Sequence, residues 1–190
     1  CVVKNRDGMP VSLPTVVRTL PEDAATVTDH TITATKAGVL QVQCGISGTT
    51  IVDETPATLV VFEGPAVRTI AELNPASITS GQTSTVTCRV EDSYGNAIPN
   101  AAAQIEVTDA TIASLQGSVL TGQKAGKTNV RCMAPQVELS ESIPAALTVT
   151  VGAASKLTLQ VTPELDWYAP GDVVNVTAYV TDTWGNAVGS

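Results

Sequence analysis

Four cysteines are the residues of this 190-residue chain whose type and spacing most clearly indicate chemistry: Cys1, Cys44, Cys88 and Cys132. No Cys-x-x-Cys pair occurs, so the metal and redox motifs that use this spacing are absent from the sequence. The alternative is a set of structural disulfides, which form and persist in oxidising compartments. Four cysteines allow three disulfide pairings, and their positions alone leave all three open.

A catalytic site would need a nucleophile with its base, or paired carboxylates, and the sequence offers little of either. The one histidine, His30, has no nucleophile signature to accompany it. The adjacent acidic pairs Glu22-Asp23 and Asp53-Glu54 are expected to be solvated loop charges, because neighbouring strand residues face opposite ways. We therefore expect no enzymatic activity and no cofactor, with His30 a surface residue.

Two carboxylate–amide pairs, Asp92 with Asn96 and Asp182 with Asn186, lie in similar runs of the form Asp-x-aromatic-Gly-Asn. Oxygen ligands in repeated turns can hold Ca²⁺. The same residues suit a tight turn, because Gly takes positive φ and Asx side chains hydrogen-bond the neighbouring backbone. The turn accounts for every residue of the run, so we expect no metal and keep calcium as the less favoured alternative.

An internal repeat with an offset of 88 residues organises the chain. A Lys-Ala-Gly run stands eight residues before Cys44 and recurs eight residues before Cys132. The run that begins at Cys88 recurs at Ala178 and, in part, at Cys1. The repeat favours the pairs Cys1–Cys44 and Cys88–Cys132, because each unit then contains its own disulfide. In the chain-entropy model each such loop contributes about 4 kcal/mol of stability.

The repeat divides the chain into three predicted domains, 1–65, 66–152 and 153–190. Only the second is expected to be complete, since the first lacks its first strands and the third contains only its start. Two explanations of the end segments stay open. The favoured one is that the sequence is a window cut from a longer repeat protein. The other is that strands from neighbouring chains complete the ends, as in donor-strand assembly.

Short strands separated by turns are the predicted elements, because Val and Thr are abundant and 14 Gly and 11 Pro are spread along the chain. In the run from 83 to 91, Val86, Cys88 and Val90 alternate with polar residues and share one face. Val130 and Cys132 form a second inward pair. The strands predicted for the complete repeat are 67–73, 83–91, 101–108, 110–115, 117–124, 127–134 and 145–151. This pattern is typical of an all-β sandwich.

A resemblance to bacterial immunoglobulin-like domains follows from four features. These are the Cys88 strand, the turn from Asp92 to Ala97, the Lys-Ala-Gly run before Cys132 and the Val/Thr-rich last strand. The chain resembles the invasin and intimin group of surface adhesins, and it departs from that pattern at Ala178, where a cysteine would stand. The resemblance implies tandem Greek-key sandwiches in an exported surface protein, and it specifies no ligand.

Composition excludes several classes of partner. A net charge of −8 would repel phosphate backbones, so we expect no nucleic-acid binding. No basic cluster suggests attachment to anionic lipid, and no apolar run approaches the roughly 20 residues that span a bilayer, so we expect no direct membrane insertion. Structural disulfides imply an oxidising compartment, so the localisation that we expect is extracellular or cell surface.

The function that we expect is a stalk, spacer or fibre, whose partners are neighbouring repeats or other copies of the chain. One alternative is a binding module for a surface receptor or glycan, with Tyr94, Tyr168 and Trp184 as exposed anchors. Packing of these aromatic residues over the end of a sandwich is the favoured explanation, because Tyr94 and Trp184 occupy the same repeat position. A further alternative is an accessory region of a secreted enzyme.

Overall fold

The structure is a computed structural model that describes residues 1–136, 139 and 141–189. Four positions of the predicted domains, 137, 138, 140 and 190, therefore lie outside the described residues. Within the described part, strands form almost all of the regular structure, and one short 3-10 helix, Glu22–Ala24, interrupts them. The all-β prediction is confirmed. The chain forms two compact units, and each is described by itself below.

The first unit comprises Cys1–Arg68 together with Val90–Asn100. Its strands are β1 (Val3–Lys4), β2 (Pro10–Val11), β3 (Thr15–Leu20), β4 (Ala25–Thr28), β5 (Thr31–Ala34), β6 (Gly38–Ile46) and β7 (Ala57–Val61). An antiparallel sheet has the order β3-β6-β7, and β1–β2 and β4–β5 form separate antiparallel pairs. Val17, Ala24 and Leu40 are the buried apolar residues within residues 1–68.

The second unit comprises Thr69–Arg89 and the chain from Ala101 onward. The remaining strands are β8 (Arg68–Asn74), β9 (Ser77–Thr79), β10 (Thr83–Glu91), β11 (Gln104–Val107), β12 (Ala113–Gln116), β13 (Val119–Gly122), β14 (Gly126–Met133), β15 (Glu141–Ile143), β16 (Ala145–Thr150), β17 (Lys156–Thr162) and β18 (Asn175–Thr181). They form one sheet in the order β12-β13-β10-β8-β15, a second in the order β11-β14-β16-β9, and the antiparallel hairpin β17–β18.

One apolar cluster joins the two larger sheets into a sandwich. It consists of Ile78, Val86, Ala113, Leu120, Val130, Leu147 and Val149. These side chains come from both sheets and lie at alternate positions of their strands, because successive residues of a strand face opposite sides. The inward positions predicted from alternation are confirmed, since Val86, Val90, Val130 and Cys132 are buried and Cys88 is partly buried.

Each of the seven strands predicted for residues 66–152 overlaps an observed strand, with bounds that differ by a few residues at most. The structure adds β9 and β15 to that prediction. β9 has only three residues and lies between Pro75 and Gly81, so it is too short to show alternation. It pairs in parallel with β16, which places Ile78 opposite Val149. This long-range pairing leaves no mark on the local sequence.

Strand pairing follows the same offset as the sequence repeat. In β3–β6 and β6–β7, Val17 pairs with Cys44 and Leu40 with Leu59. In β11–β14 and β14–β16, the pairs are Ile105 with Cys132 and Thr128 with Leu147. Every one of these positions differs by 88 between the two sheets. The sequence repeat is therefore matched by a repeat in the pairing of three strands. The domain boundaries after 65 and 152 stay predictions.

Disulfides join Cys1 to Cys44 and Cys88 to Cys132, with a Cα–Cα distance of 5.7 Å in each pair. No free cysteine occurs among the described residues. The two bonds fit an oxidising compartment such as the outside of the cell. In the described part of the chain, no helix is both long enough and apolar enough to cross a membrane.

Candidate functional site

The turn from Asp92 to Asn96 follows β10 and is built by one carboxylate. The Asp92 Oδ1 atom accepts hydrogen bonds of 2.9 Å from the backbone N–H groups of Tyr94 and Asn96. The Gly95 N–H bonds the Asp92 carbonyl at 3.1 Å. Gly95 has a φ of +85°, a conformation that costs glycine little because it has no Cβ. The local geometry is the Asx turn that the sequence predicts.

The same two side chains also bind distant backbone, which the sequence does not predict. The Asp92 Oδ2 atom accepts a hydrogen bond of 2.9 Å from the Gly64 N–H. The Asn96 amide accepts from the Ala37 N–H at 2.9 Å and donates to the Thr35 carbonyl at 3.0 Å. Asn96 also donates to Asp92 Oδ2 at 2.8 Å. We call this set of five residues the first clasp.

A second clasp repeats this arrangement at Asp182 and Asn186. Asp182 Oδ1 accepts from the Trp184 and Asn186 N–H groups, and its Oδ2 accepts from the Gly152 N–H and the Asn186 amide, all at 2.8 to 2.9 Å. Asn186 accepts from the Ala125 N–H at 2.8 Å and donates to a backbone carbonyl at 2.9 Å. That carbonyl belongs to Gln123, which completes the set Gln123, Ala125, Gly152, Asp182 and Asn186. The Ser80 hydroxyl is an added donor to Asp182 Oδ2.

Both clasp carboxylates are buried and charged. Asp92 is 1% exposed and Asp182 is 3% exposed. Burial by itself raises the pKa of Asp92, but the donors from Asn96, Gly64 and Tyr94 outweigh this effect and lower the pKa to about 2. The pKa of Asp182 is lowered for the same reason, since the Ser80 hydroxyl, the Asn186 amide and the Gly152 N–H outweigh burial. Each clasp therefore holds a stable anion at neutral pH.

Glycine allows a close approach of the link to the carboxylate at two positions. A Cβ atom added to Gly64 would lie 3.3 Å from Asp92 Oδ2. A Cβ atom added to Gly152 would lie 2.9 Å from the Ser80 hydroxyl oxygen and 3.3 Å from Asp182 Oδ2. These distances are shorter than ordinary van der Waals contacts, so a side chain at either position requires the link, the carboxylate or the Ser80 hydroxyl to shift. The two glycines are equivalent by the offset of 88.

The clasp oxygens face N–H donors, which is the wrong environment for a cation. Both oxygens of Asp92 accept two N–H groups each, and the Asn96 oxygen accepts the Ala37 N–H. A cation would have to displace these positive dipoles before it reached the carboxylate. Among the described residues, no group of three or more His, Cys, Asp or Glu side chains could hold a metal ion. The geometry favours the turn over the calcium site at Asp92, Asn96, Asp182 and Asn186.

The other candidate residues do not converge on a catalytic cleft. His30 is exposed, and its Nε2 atom lies 3.0 Å from the Thr15 hydroxyl. In the acidic pair Glu22-Asp23, Asp23 forms an ion pair with Lys36, and in the pair Asp53-Glu54, Asp53 accepts from Thr55. Both contacts lower the pKa of the aspartate concerned.

Tyr94 and Trp184 are both exposed, and the Tyr168 hydroxyl donates to the Pro163 carbonyl at 2.7 Å. Trp184 lies against Gly81 and borders a cavity of about 550 Å³ that Lys124 and Gln123 also line. The exposed aromatic position thus occurs at both clasps.

Sequence reasoning found the turns and missed their partners. Gly64, Ala37 and Thr35 bind through the backbone, so their side chains carry no sign of the contact. A signal was nevertheless present, because the Lys-Ala-Gly run and the link glycine recur at the same offset of 88 as Cys44 and Cys132. When a residue recurs in each repeat but has no apparent role in the hydrophobic core, it is a candidate for a contact between neighbouring repeats.

No protein-family model and no curated protein sequence matches the chain. Among solved structures, the chain is similar to FdeC, a broadly conserved Escherichia coli adhesin (20% identity, TM-score 0.48), to InvD of Yersinia pseudotuberculosis (16%, 0.45) and to invasin, a bacterial integrin-binding protein (18%, 0.44). These alignments cover 97%, 98% and 98% of this chain but only 65%, 65% and 43% of those chains. The invasin group that the sequence resembles is thus among the similar structures, and at such low TM-scores no argument rests on them.

Proposed function

We propose that the chain is a structural repeat region, acting as a stalk, spacer or fibre segment of an exported bacterial surface protein. In this role it supports adhesion or assembly without catalysis. The observation that carries the proposal is the pair of clasps, which use the same atoms at two places in the chain. A contact that recurs with the repeat serves the array, whereas a ligand site usually differs between copies.

Each clasp links residues on the two sides of a predicted domain boundary. The first ties Ala37 and Gly64, of the predicted domain 1–65, to Asp92 and Asn96, of the predicted domain 66–152. The second does the same for the boundary after Gly152. Only six residues separate β7 from β8 and five separate β16 from β17, and the glycine of each link is itself hydrogen-bonded, so each joint has little slack. Joints of this kind suit a spacer that has to hold its partners at a distance.

The hydrogen bonds of the clasps are stronger than bonds between neutral groups, because their acceptor is charged. Each joins a buried carboxylate to several N–H groups, and hydrogen bonds to a charged group are worth about 1.5–3 kcal/mol. The described residues contain no buried side-chain nitrogen or oxygen without a hydrogen-bond partner. The clasps are therefore fully satisfied polar networks, which specify one geometry instead of a range of geometries.

A test of the proposal is the variant Asn96→Ala, which removes the side-chain bonds of Asn96 to Ala37, Thr35 and Asp92 Oδ2. We expect a loss of about 2 kcal/mol in the free energy of closing the clasp, because the Ala37 N–H loses its acceptor and the buried Asp92 carboxylate loses a donor. In hydrogen exchange, the amides of Ala37 and Gly64 then exchange faster, and limited proteolysis cuts the link near Gly64 sooner.

The matched control is Asn129→Ala, an exposed asparagine of β14 outside both clasps. It is expected to change stability by less than about 0.5 kcal/mol and to leave the exchange of Ala37 and Gly64 as it was. If Asn96→Ala leaves the exchange of both amides unchanged, the clasp does not hold the joint and the proposal is wrong.

A binding module for a receptor or glycan is the second candidate. Its support is the half-exposed Trp184 beside the cavity of about 550 Å³ with Lys124 and Gln123. Trp184 fluorescence, followed during titration with glycans, distinguishes the two functions, because a spacer gives no saturable change. Trp184→Ala, which removes the ring, is the control for signals from Trp167.

A further inference from the structure

Strand β12 forms one edge of the five-stranded sheet of the second unit, and its sequence lacks the features that prevent an edge from pairing. Within the described residues it pairs only with β13, in a continuous register without a bulge. No charged residue and no proline occurs between Asp109 and Lys124. Natural sheets protect their edges with charges, prolines, bulges or very short strands. The edge of β12 is therefore open to another strand.

The other three edges of this sandwich have such protection. The outer strands of its two sheets are β12 and β15 in one and β11 and β9 in the other. β9 has only three residues and follows Pro75 closely. β11 carries the exposed Glu106, and β15 ends directly before Pro144. β12 is the exception among the four.

The equivalent edge in the first unit is flanked by acidic residues. β4 is the counterpart of β12, because the hairpins β4–β5 and β12–β13 have the same register at the offset of 88. Each acidic residue beside β4 is replaced by an uncharged one at the counterpart position: Glu22 by Ala110, Asp23 by Thr111 and Asp29 by Gly117. Since the same hairpin forms with these charges, the fold itself does not require an uncharged edge at β12.

The alternation of hydrogen bonds in the hairpin β12–β13 identifies the backbone groups at the open edge. The Gln123 N–H bonds the Ile112 carbonyl at 2.8 Å, so these two residues form a hydrogen-bonded pair. Bonded and non-bonded pairs alternate along an antiparallel ladder, so the N–H and C=O groups of Ala113 and Leu115 point away from β13. Both side chains belong to the core cluster, which places Ser114 on the outer face of the sheet.

We propose that β12 of one copy of this chain pairs antiparallel with β12 of a second copy and joins two five-stranded sheets into one. Ala113 of each copy then lies opposite Leu115 of the other, and Ser114 lies opposite its own equivalent on the two-fold axis. The contact is isologous, so it closes as a pair.

Charge favours a second copy as the partner at this edge. The chain carries a net charge of −8, so two copies repel each other wherever their acidic surfaces meet. Like charges directly opposite each other destabilise a strand pair, and the edge of β12 brings none together. Lateral pairing of this kind goes beyond the spacer proposed above, because it links neighbouring copies side by side.

The first test measures the dimer without any variant. A four-residue edge buries much less than the roughly 1,600 Å² of a standard interface, so the dimer is expected to be weak. Sedimentation velocity of the polypeptide 1–190 at up to about 1 mM is expected to show a monomer–dimer equilibrium. In hydrogen exchange, the Leu115 amide then exchanges more slowly as the concentration rises. The amide of Val27, its counterpart in β4, is the internal control and stays unchanged.

The second test uses charge at the two-fold axis. Ser114→Lys places two like charges opposite each other and is expected to abolish the dimer, as is Ser114→Asp. An equimolar mixture of these two variants is expected to dimerise, because opposite charges then meet at the axis. The matched control is Thr85→Lys, which adds a charge to the exposed face of β10 and leaves the dimer intact. Circular dichroism checks that each variant is folded, and if one is not, the exchange of Leu115 and Val27 in the natural chain decides.

Four outcomes overturn the proposal: a chain that stays monomeric up to about 1 mM, a dimer that Ser114→Lys leaves intact, a mixture of the two charged variants that stays monomeric, or a Leu115 amide whose exchange does not respond to concentration. None of them bears on the spacer, because the exchange of Ala37 and Gly64 that tests the first clasp does not depend on β12.

Discussion

The Asp92 carboxylate is almost inaccessible to water and yet ionised, because four N–H groups point at its two oxygens. A protonated carboxyl would turn one acceptor into a donor and place it against other donors. The folded arrangement of this turn therefore requires the ionised form of Asp92. Hydrogen bonds to the charged form are the reason that the pKa falls although burial opposes it.

Acid is expected to open the clasps. The pKa of Asp92 is about 2 in the folded chain against an ordinary value of 3.8, so the unfolded state takes up the proton first as the pH falls. The stabilisation is complete above a pH of about 4 and disappears as the pH falls through 2. Urea unfolding at a series of pH values between 5 and 2 measures this loss.

The variant Asp92→Asn is the control for that experiment. It is less stable than the natural chain at neutral pH, and its stability falls less steeply between pH 4 and 2. An equal slope for both chains would mean that Asp92 does not contribute to the acid sensitivity.

Gly152→Ala is expected to loosen the second clasp by steric contact alone. The new Cβ would lie 2.9 Å from the Ser80 hydroxyl oxygen, so Ser80 or the link has to move, at a cost of about 1–3 kcal/mol. Thermal unfolding of the single variant and of the double variant with Ser80→Ala checks the cause. The double variant should be more stable than the two separate effects predict, because the second change removes the clashing oxygen.

At the scale of elements, alternation is what made the sandwich predictable. The alternation of Val86, Cys88 and Val90 with polar residues predicts a half-buried strand without further information. The observed strand β10 begins and ends at the predicted residues, 83 and 91. β9 and the clasp partners could not be predicted in the same way. β9 is too short for a pattern, and Gly64 reaches Asp92 through its backbone N–H, which every residue except proline possesses. The register of distant strands is likewise set by packing and not by local propensity.

The Cys88–Cys132 disulfide joins β10 of one sheet to β14 of the other, so it fastens the two layers across the core. Replacing both cysteines by Ala is expected to lower the melting temperature of the middle sandwich, through a loss of about 4 kcal/mol in the chain-entropy model. Calorimetry measures this loss. Replacement of Cys1 and Cys44 is the matched control, and it should shift a different transition. If one transition responds to both changes, the two disulfides do not stabilise separate units.

At the scale of the whole molecule, the clasps bear on whether the region responds to calcium. Because their oxygens are saturated by N–H groups, millimolar Ca²⁺ is expected to leave the melting temperature and the scattering profile of the chain unchanged. The same measurements in excess chelator provide the reference. A calcium-dependent rise in melting temperature that Asp182→Asn removes would show that the second clasp binds the ion.

The parallel pairing of β9 with β16 has a consequence under mechanical load. These strands lie near the two ends of the predicted domain 66–152, so tension along the chain pulls one strand past the other. The hydrogen bonds between the two strands then have to break at the same time instead of one after another. After the β9–β16 ladder has broken, the Cys88–Cys132 disulfide still prevents the 44 residues between the two cysteines from being extended. At about 3.5 Å per residue, the disulfide reduces the maximum extension of the unfolded domain by roughly 150 Å. The domain can therefore unfold under force with only a limited increase in length.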